Sequence, residues 1–290
     1  MAVAPQVSLR MKSSLLDNTM ATAEELIFNG EPEAALSALE KQVRSQASDA
    51  TLRVFLFQLL AVLGQWQRAL TQLQVCGELD ASTLAMVGTY REAVQCEAVR
   101  EAVFAGKTLP HVFGRPKAWV AWLVEALAAE GRGETAAATK LRSQALEEAP
   151  ATSGSLNGQP FEWIADGDTR LGPVLEAIIN GRYCWVPFDA VSKVSIEAPV
   201  DLRDMVWSPA RLEFPNGGET VALLPTRYVG SPQSNDGALQ LARRTEWLEL
   251  APEQFSGLGQ RLLATNTQEL GLLEVREIVL IASTVSAETI

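Results

Sequence analysis

The first half of the chain has helical periodicity. Ala50–Leu63, ATLRVFLFQLLAVL, is apolar almost all the way round, which predicts a helix buried between neighbours. Lys117–Glu130, KAWVAWLVEALAAE, keeps Trp119, Trp122, Leu123, Ala126 and Leu127 on one stripe. Glu134–Ala149 predicts a second helix closed by Pro150, and Ser82–Ala105 one long helix ending at Gly106. The helices also repeat. Gly30, Ala35, Leu36 and Leu39 recur as Gly64, Ala69, Leu70 and Leu73, an offset of 34 residues. That is the period of tetratricopeptide helical hairpins. Gly suits the turn, the small Ala lets two helices approach, and the leucines share a face. A degenerate third copy is expected at Gly131–Ala136. Stacked hairpins of this kind present a curved surface suited to a peptide or helix.

The second half changes rhythm. Short runs rich in Val, Trp, Pro and Gly predict strands at Tyr183–Phe188, Ser192–Ile196, Arg211–Phe214, Thr220–Leu224 and Leu272–Ile281. Asn216-Gly217-Gly218 reads as a hairpin turn between two of them. Asp168–Asn180, DTRLGPVLEAIIN, reads as a helix capped by Asp168 or Thr169, with Val174, Leu175, Ile178 and Ile179 on its core face. Between the halves, the Pro/Ser/Gly-rich stretch around residues 151–160 has linker chemistry. The expected architecture is therefore α+β. A helical, tetratricopeptide-like domain over 1–150 and a linker over 151–160 precede a mixed domain over 161–290 with a mainly antiparallel sheet.

Charge narrows the chemistry. The chain of 290 residues carries 24 Lys+Arg and 35 Asp+Glu, a net charge of −11. Such a balance argues against gripping nucleic acid or an anionic membrane through a general basic surface. It predicts a basic partner whose rim contacts weaken with salt. Residues 151–290 hold ten cations against 18 acids, and nine of the ten are Arg, the exception being Lys193. Arg suits planar pairing, so internal ion pairs are expected. Three cysteines, Cys76, Cys96 and Cys184, and a single histidine, His111, are too few for a disulfide framework or a His-rich metal centre. Met1–Asp17 shows no signal-peptide pattern and no stretch is long and apolar enough to span a membrane, so the expected location is cytoplasmic.

Several strings then stand out together: Asp168-Thr-Arg170-Leu-Gly-Pro, Asn-Gly-Arg182-Tyr183-Cys-Trp185-Val-Pro, and Asp201-Leu-Arg203-Asp204-Met-Val-Trp207. Pro-Thr-Arg227-Tyr228 and Ala-Arg243-Arg244-Thr-Glu-Trp247 follow in order. In this order and spacing the chain resembles the ImpE family, also called SciE or TagJ, whose members are accessory proteins of bacterial type VI secretion. The resemblance covers nearly the whole chain, because the family also carries a tetratricopeptide-like N-terminal half. It implies a non-enzymatic cytoplasmic accessory with no cofactor. It further implies binding to a helix of the small contractile-sheath subunit, and a link to the AAA+ ATPase that recycles the sheath. The motif residues are then the expected interaction residues.

Other readings compete. Asp166-Gly-Asp168 places two carboxylates close enough to share a divalent cation, as a metal-dependent hydrolase or transferase would need, but no further oxygen ligands follow at fixed spacing. A capping role is the simpler reading of these acids. An assembly scaffold outside secretion is a third reading. Arg243-Arg244 suits either a phosphate clamp or pairing with Glu246, and Trp163, Trp185, Trp207 and Trp247 suit either an aromatic cage or core anchors. Cys184 alternates away from Tyr183 and Trp185, which favours packing over thiolate chemistry, and His111 lies in a Pro/Gly-flanked loop.

Overall fold

The computed structural model describes residues 21–281, so the N-terminal stretch read for a targeting signal lies outside the described residues. Helices α1 (Ala23–Phe28) and α2 (Pro32–Ser45) form one hairpin, and α3 (Ala50–Val62) and α4 (Trp66–Leu79) a second. The long α5 (Leu84–Phe104) and a short strand β1 (His111–Val112) precede a third hairpin, α6 (Ala118–Gly131) and α7 (Thr135–Glu148).

The three hairpins share one turn. In each, a glycine with positive φ (Gly30, Gly64, Gly133) follows the first helix. The next residue's N–H then reaches back to a carbonyl five positions earlier: Glu31 to Leu26, Gln65 to Leu60 and Glu134 to Ala129. This is the Schellman closure of a helix end. The third copy is therefore centred on Gly133, two residues after the expected Gly131. Five residues beyond each turn glycine, Ala35, Ala69 and Ala138 are buried against the preceding helix. Nine residues beyond, the third copy departs from the first two. Leu39 and Leu73 are fully buried, but their counterpart is the buried Arg142, which donates to Gln254 Oε1 at 2.8 Å and to Glu130 at 2.6 Å.

The remaining chain is mainly strand. β2 (Gly154–Leu156), β3 (Gln159–Phe161), β4 (Ile164–Asp166), β5 (Val174–Ile179), β6 (Arg182–Pro187) and β7 (Lys193–Ile196) come first. β8 (Trp207–Glu213), β9 (Glu219–Pro225) and the short helix α8 (Gly237–Gln240) follow. β10 (Thr245–Ala251), β11 (Gln254–Gly259), β12 (Leu262–Thr265), β13 (Glu269–Gly271) and β14 (Glu277–Leu280) complete it. One nine-stranded sheet has the order β1-β6-β5-β9-β8-β7-β14-β2-β3; β10–β11 and β13-β12-β4 form two small ones. Each named strand pairing is antiparallel except β1 with β6, so the α+β class with a mainly antiparallel sheet holds.

The helix expected over Asp168–Asn180 is instead a turn followed by strand β5, all six of whose residues are buried. Val174 and Ile178 face the helices, while Leu175, Ala177 and Ile179 face a second core. A strand covered on both faces reads as a continuous apolar run, and periodicity alone does not separate it from a buried helix. The expected linker over 151–160 is also folded. Asn157-Gly158 turns β2 into β3, and β2 pairs with β14 at the far end of the large sheet. Finally, Leu272–Glu274 is a single 3₁₀ turn, and only Glu277–Leu280 of the expected Leu272–Ile281 run is a strand. The other strands and the Asn216-Gly217-Gly218 turn between β8 and β9 fall where expected.

Two cores result. One lies between the helices and one face of the large sheet and includes Phe57, Leu60 and Tyr90 together with Val174, Trp185 and Trp207. The other lies on the opposite face and joins Leu175, Val186, Leu212 and Ile278 to Leu263 of the small sheet. Helical half and sheet half thus share a core, with α5 along the seam.

Candidate functional site

The seam is where charge is concentrated. Tyr90, Glu97 and Phe104 recur every seven residues along α5, so one face presents them, with Arg100 between, to β5, β6 and β8. The Arg100 guanidinium donates to both oxygens of Glu176 on β5, at 2.7 and 3.0 Å, and to the Arg227 carbonyl at 2.7 Å. Glu97 receives the Trp207 indole N–H at 2.8 Å. On the other side of Glu176, Arg261 approaches at 3.3 Å and pairs with Asp166 at 2.6 and 2.9 Å. Tyr183 donates to Glu176 and accepts from the Trp185 indole at 2.8 Å, while Tyr228 donates to Asp166 at 2.9 Å. Asp168 is held by Arg170 at 2.6 Å and by the Gly257 N–H at 3.1 Å, and Arg170 stacks over Phe104 at 4.9 Å.

Four acids (Glu97, Asp166, Asp168, Glu176) and four arginines (Arg100, Arg170, Arg227, Arg261) thus share one region without net charge. All are buried except Arg170, which lies at its margin. The electrostatics follow position. Burial raises the Glu176 carboxyl, but Arg100 and Arg261 together outweigh it and hold it below the ordinary carboxylate value. Asp166 has one guanidinium and the Asp168 carboxylate as neighbours, and burial pushes it up to about 6. Burial also raises the Tyr183 and Tyr228 phenols well above 10, so both remain hydrogen-bond donors.

Arg227 has a different task. Its guanidinium bonds the carbonyls of Val62 at 2.7 Å and Ala61 at 3.3 Å, and that of Gln240. Burial without a bonded carboxylate lowers its pKa to about 10. Arg243 does the same one repeat earlier, donating to the carbonyls of Phe28 and Ile27 at 2.7 Å each. Each pair of carbonyls lies two and three residues before a turn glycine, Gly64 or Gly30. The sheet half therefore uses two arginines to cap the same position in two successive repeats, where a cation meets the negative end of a helix dipole.

The structure brings Asp168, Arg170, Tyr183, Trp185, Trp207, Arg227 and Tyr228 together in or beside this network. The remaining motif residues lie apart. Asp204 is buried and accepts the Val200 and Asp201 N–H groups, and Arg203 stacks over Tyr90 at 4.9 Å. Arg182 is exposed at the β5–β6 turn. Arg244 pairs with Asp236 and, at 2.7 Å, with Glu246. Trp247 is 42 % exposed. The Asp166-Gly-Asp168 carboxylates are occupied by arginine, tyrosine and backbone donors, and among the described residues no group of acids, His and Cys is arranged to hold a metal. Asp168 does cap, but it caps the turn ahead of β5 and not a helix. The three cysteines are buried free thiols, and burial raises each of them to about 11 or 12.

Glu97, Arg100 and Arg261 escape the sequence reading, and Glu176 enters it only as one position of the helix expected over Asp168–Asn180. Glu176 carried a signal: it is the one charge inside an otherwise apolar run, and such a charge needs a buried partner.

Comparison with known proteins fits this architecture. The ImpE protein family model matches residues 158–279. The type VI secretion system accessory component TagJ of Pseudomonas aeruginosa is 52 % identical over 271 residues, 93 % of this chain and 94 % of that protein. The crystal structure of protein VPA1032 from Vibrio parahaemolyticus shares the fold, with a TM-score of 0.82 at 24 % identity over 89 % of this chain and 97 % of that one. No helix among the described residues is long and apolar enough to cross a membrane. Identity at this level, sustained along helices and sheet alike, means that the chain belongs to the ImpE family.

Proposed function

We propose that this chain is a non-enzymatic, cytoplasmic accessory component of a bacterial type VI secretion system that works by holding a helix of a partner. The observation that carries the accessory reading is its 52 % identity, over 93 % of its length, to a protein named as a type VI secretion system accessory component. The network chemistry agrees with it: the buried carboxylates are saturated by arginines and tyrosines, which suits holding two halves together better than turning over a substrate. The proposed partner is the small subunit of the contractile sheath, with the AAA+ recycling ATPase as a second contact.

One groove suits the apolar face of such a helix. Leu109, Pro110 and Val112 on one side and Val120 and Val124 of α6 on the other enclose about 350 Å³, with Lys117 and Glu125 at the rim. Apolar anchors at i, i+3, i+4 and i+7 would fill it. The test is a calorimetric titration of the full-length chain with the purified small sheath subunit. Binding at micromolar strength or better is expected, and Leu109→Asp, at a side chain 71 % exposed, should weaken it at least tenfold without lowering the melting temperature. Absence of binding by the well-folded chain sinks the sheath reading.

A further inference from the structure

A second surface lies away from that groove. Trp163, Trp247 and Phe255 are 40 %, 42 % and 37 % exposed and line one pocket of about 400 Å³ together with Gly167 and Glu269. A Cβ on Gly167 would come within 2.6 Å of the Trp247 ring, so only glycine leaves that ring its place in the pocket wall. Asp166 also lines the pocket but is bound to Arg261 and Tyr228. Glu269 is exposed and forms no salt bridge among the described residues. Glu249 is directly opposite Phe255 across the β10–β11 pair, so it stands on the same face. No lysine or arginine lines the pocket. Among the described residues β10 pairs only with β11, which leaves its outer edge open, with Leu248 66 % exposed beside it.

We infer that this pocket binds an arginine side chain carried on an extended segment of a partner protein, the segment pairing with the open edge of β10. Three aromatic rings with carboxylates at their rim, and no cation of their own, match a guanidinium, which stacks on rings and pairs with acids at once. An aliphatic plug would fill the rings but would remove Glu269 from water without a partner. The open edge supplies the backbone pairing that holds a segment in register. This surface and the groove for a partner helix are separate, and either stands without the other.

The probe is a capped pentapeptide, acetyl-Thr-Val-Arg-Val-Thr-amide, titrated into the full-length chain and followed by tryptophan fluorescence and calorimetry. Peptides with Gln or Leu in place of Arg are the controls. The Arg peptide should bind at least tenfold more tightly than either control, and its affinity should fall as salt rises from about 50 to about 500 mM. Trp163→Ala should weaken it about tenfold and Glu269→Gln several-fold; both positions are exposed, so an unchanged melting temperature confirms folding. Three results would overturn the inference: no binding of the Arg peptide at millimolar concentration, equal binding of the Leu peptide, or Arg-peptide binding indifferent to both substitutions.

Discussion

Replacing Arg100 by Met removes the central strut of the seam while keeping most of its apolar stem. The wild-type guanidinium bonds both oxygens of Glu176 at 2.7 and 3.0 Å and the Arg227 carbonyl at 2.7 Å, with a longer contact to Glu97 at 3.4 Å. A hydrogen bond to a charged group contributes about 1.5–3 kcal/mol, and breaking a buried pair from one side costs about 3–5 kcal/mol because the other charge stays buried. Glu176 is not wholly abandoned, since Arg261 at 3.3 Å and Tyr183 remain. That places the cost at the lower end, about 3 kcal/mol. With a urea slope of about 3 kcal/mol/M, the midpoint should fall by about 1 M. Glu176→Gln should cost a similar amount. The double substitution should cost about 2 kcal/mol less than the sum, since neither charge is then left without its partner. Tryptophan fluorescence, to which the buried Trp185 and Trp207 contribute, and far-UV dichroism should report one coincident transition, because the pair joins the helical half to the sheet half. A cost for Arg100→Met below about 1 kcal/mol, or strict additivity, would refute this account of the seam.

The two capping arginines offer a matched comparison. Arg227→Met should cost about 3 kcal/mol by taking their guanidinium donor from the buried carbonyls of Val62 and Gln240, whereas Arg243→Met at the exposed equivalent should cost under about 1 kcal/mol; equal losses in urea unfolding would count against burial as the deciding factor. Gly257→Ala would bring a Cβ within 2.2 Å of the Tyr228 ring and should destabilise by at least about 2 kcal/mol, with a matching drop in melting temperature. Asp166 supplies the pH dependence. Its folded pKa of about 6 lies above the ordinary 3.8, so its contribution is fully present below the unfolded value and is lost as pH rises through 6. The stability difference between wild type and Asp166→Asn should therefore shift in favour of wild type by about 1 kcal/mol on going from pH 7 to pH 5. A difference flat with pH would show that Asp166 does not titrate there.

The helical half was legible because its signals are local. A turn glycine, a small residue five positions on and an apolar stripe sit within one hairpin, and each element agrees with the others. The third copy lies two residues from its expected place because Arg142 stands where the earlier copies have Leu, and its contacts with Glu130 and with Gln254, far along the chain, explain why an arginine is buried there. The sheet half was legible where one face of a strand differs from the other, as at β8 and β9. It failed at β5, which both cores cover, and at β2–β3, whose Ser, Asn and Gly residues look like a linker until β14 supplies their partner. The buried ion network was least legible of all. Arg100 and Glu176 are 76 positions apart, and neither carries any local sign of which opposite charge it meets.

Seven of the thirteen motif residues end in or beside that seam, and this bears on what a family signature reports. Asp168, Tyr183, Trp185, Trp207, Arg227 and Tyr228 belong to strings of aromatic and charged side chains that read naturally as a recognition surface, yet each is buried and bonded within the chain. Fully buried charges tolerate little substitution, because removing one leaves its partner desolvated. A motif built of them therefore marks the geometry that docks the hairpins onto the sheet. On the proposed function, specificity for a partner resides where substitution is cheap. Leu109 at the α6 groove, and Trp163, Trp247 and Glu269 around the aromatic pocket, meet that condition: they are exposed, and the fold does not depend on most of them. The seam also dictates how binding should be tested. Cutting the chain between its halves would expose the buried arginines and carboxylates together with the shared core, so loss of binding by either fragment would reflect unfolding before it reflected the position of a groove. Point substitutions at exposed positions in the intact chain separate the two.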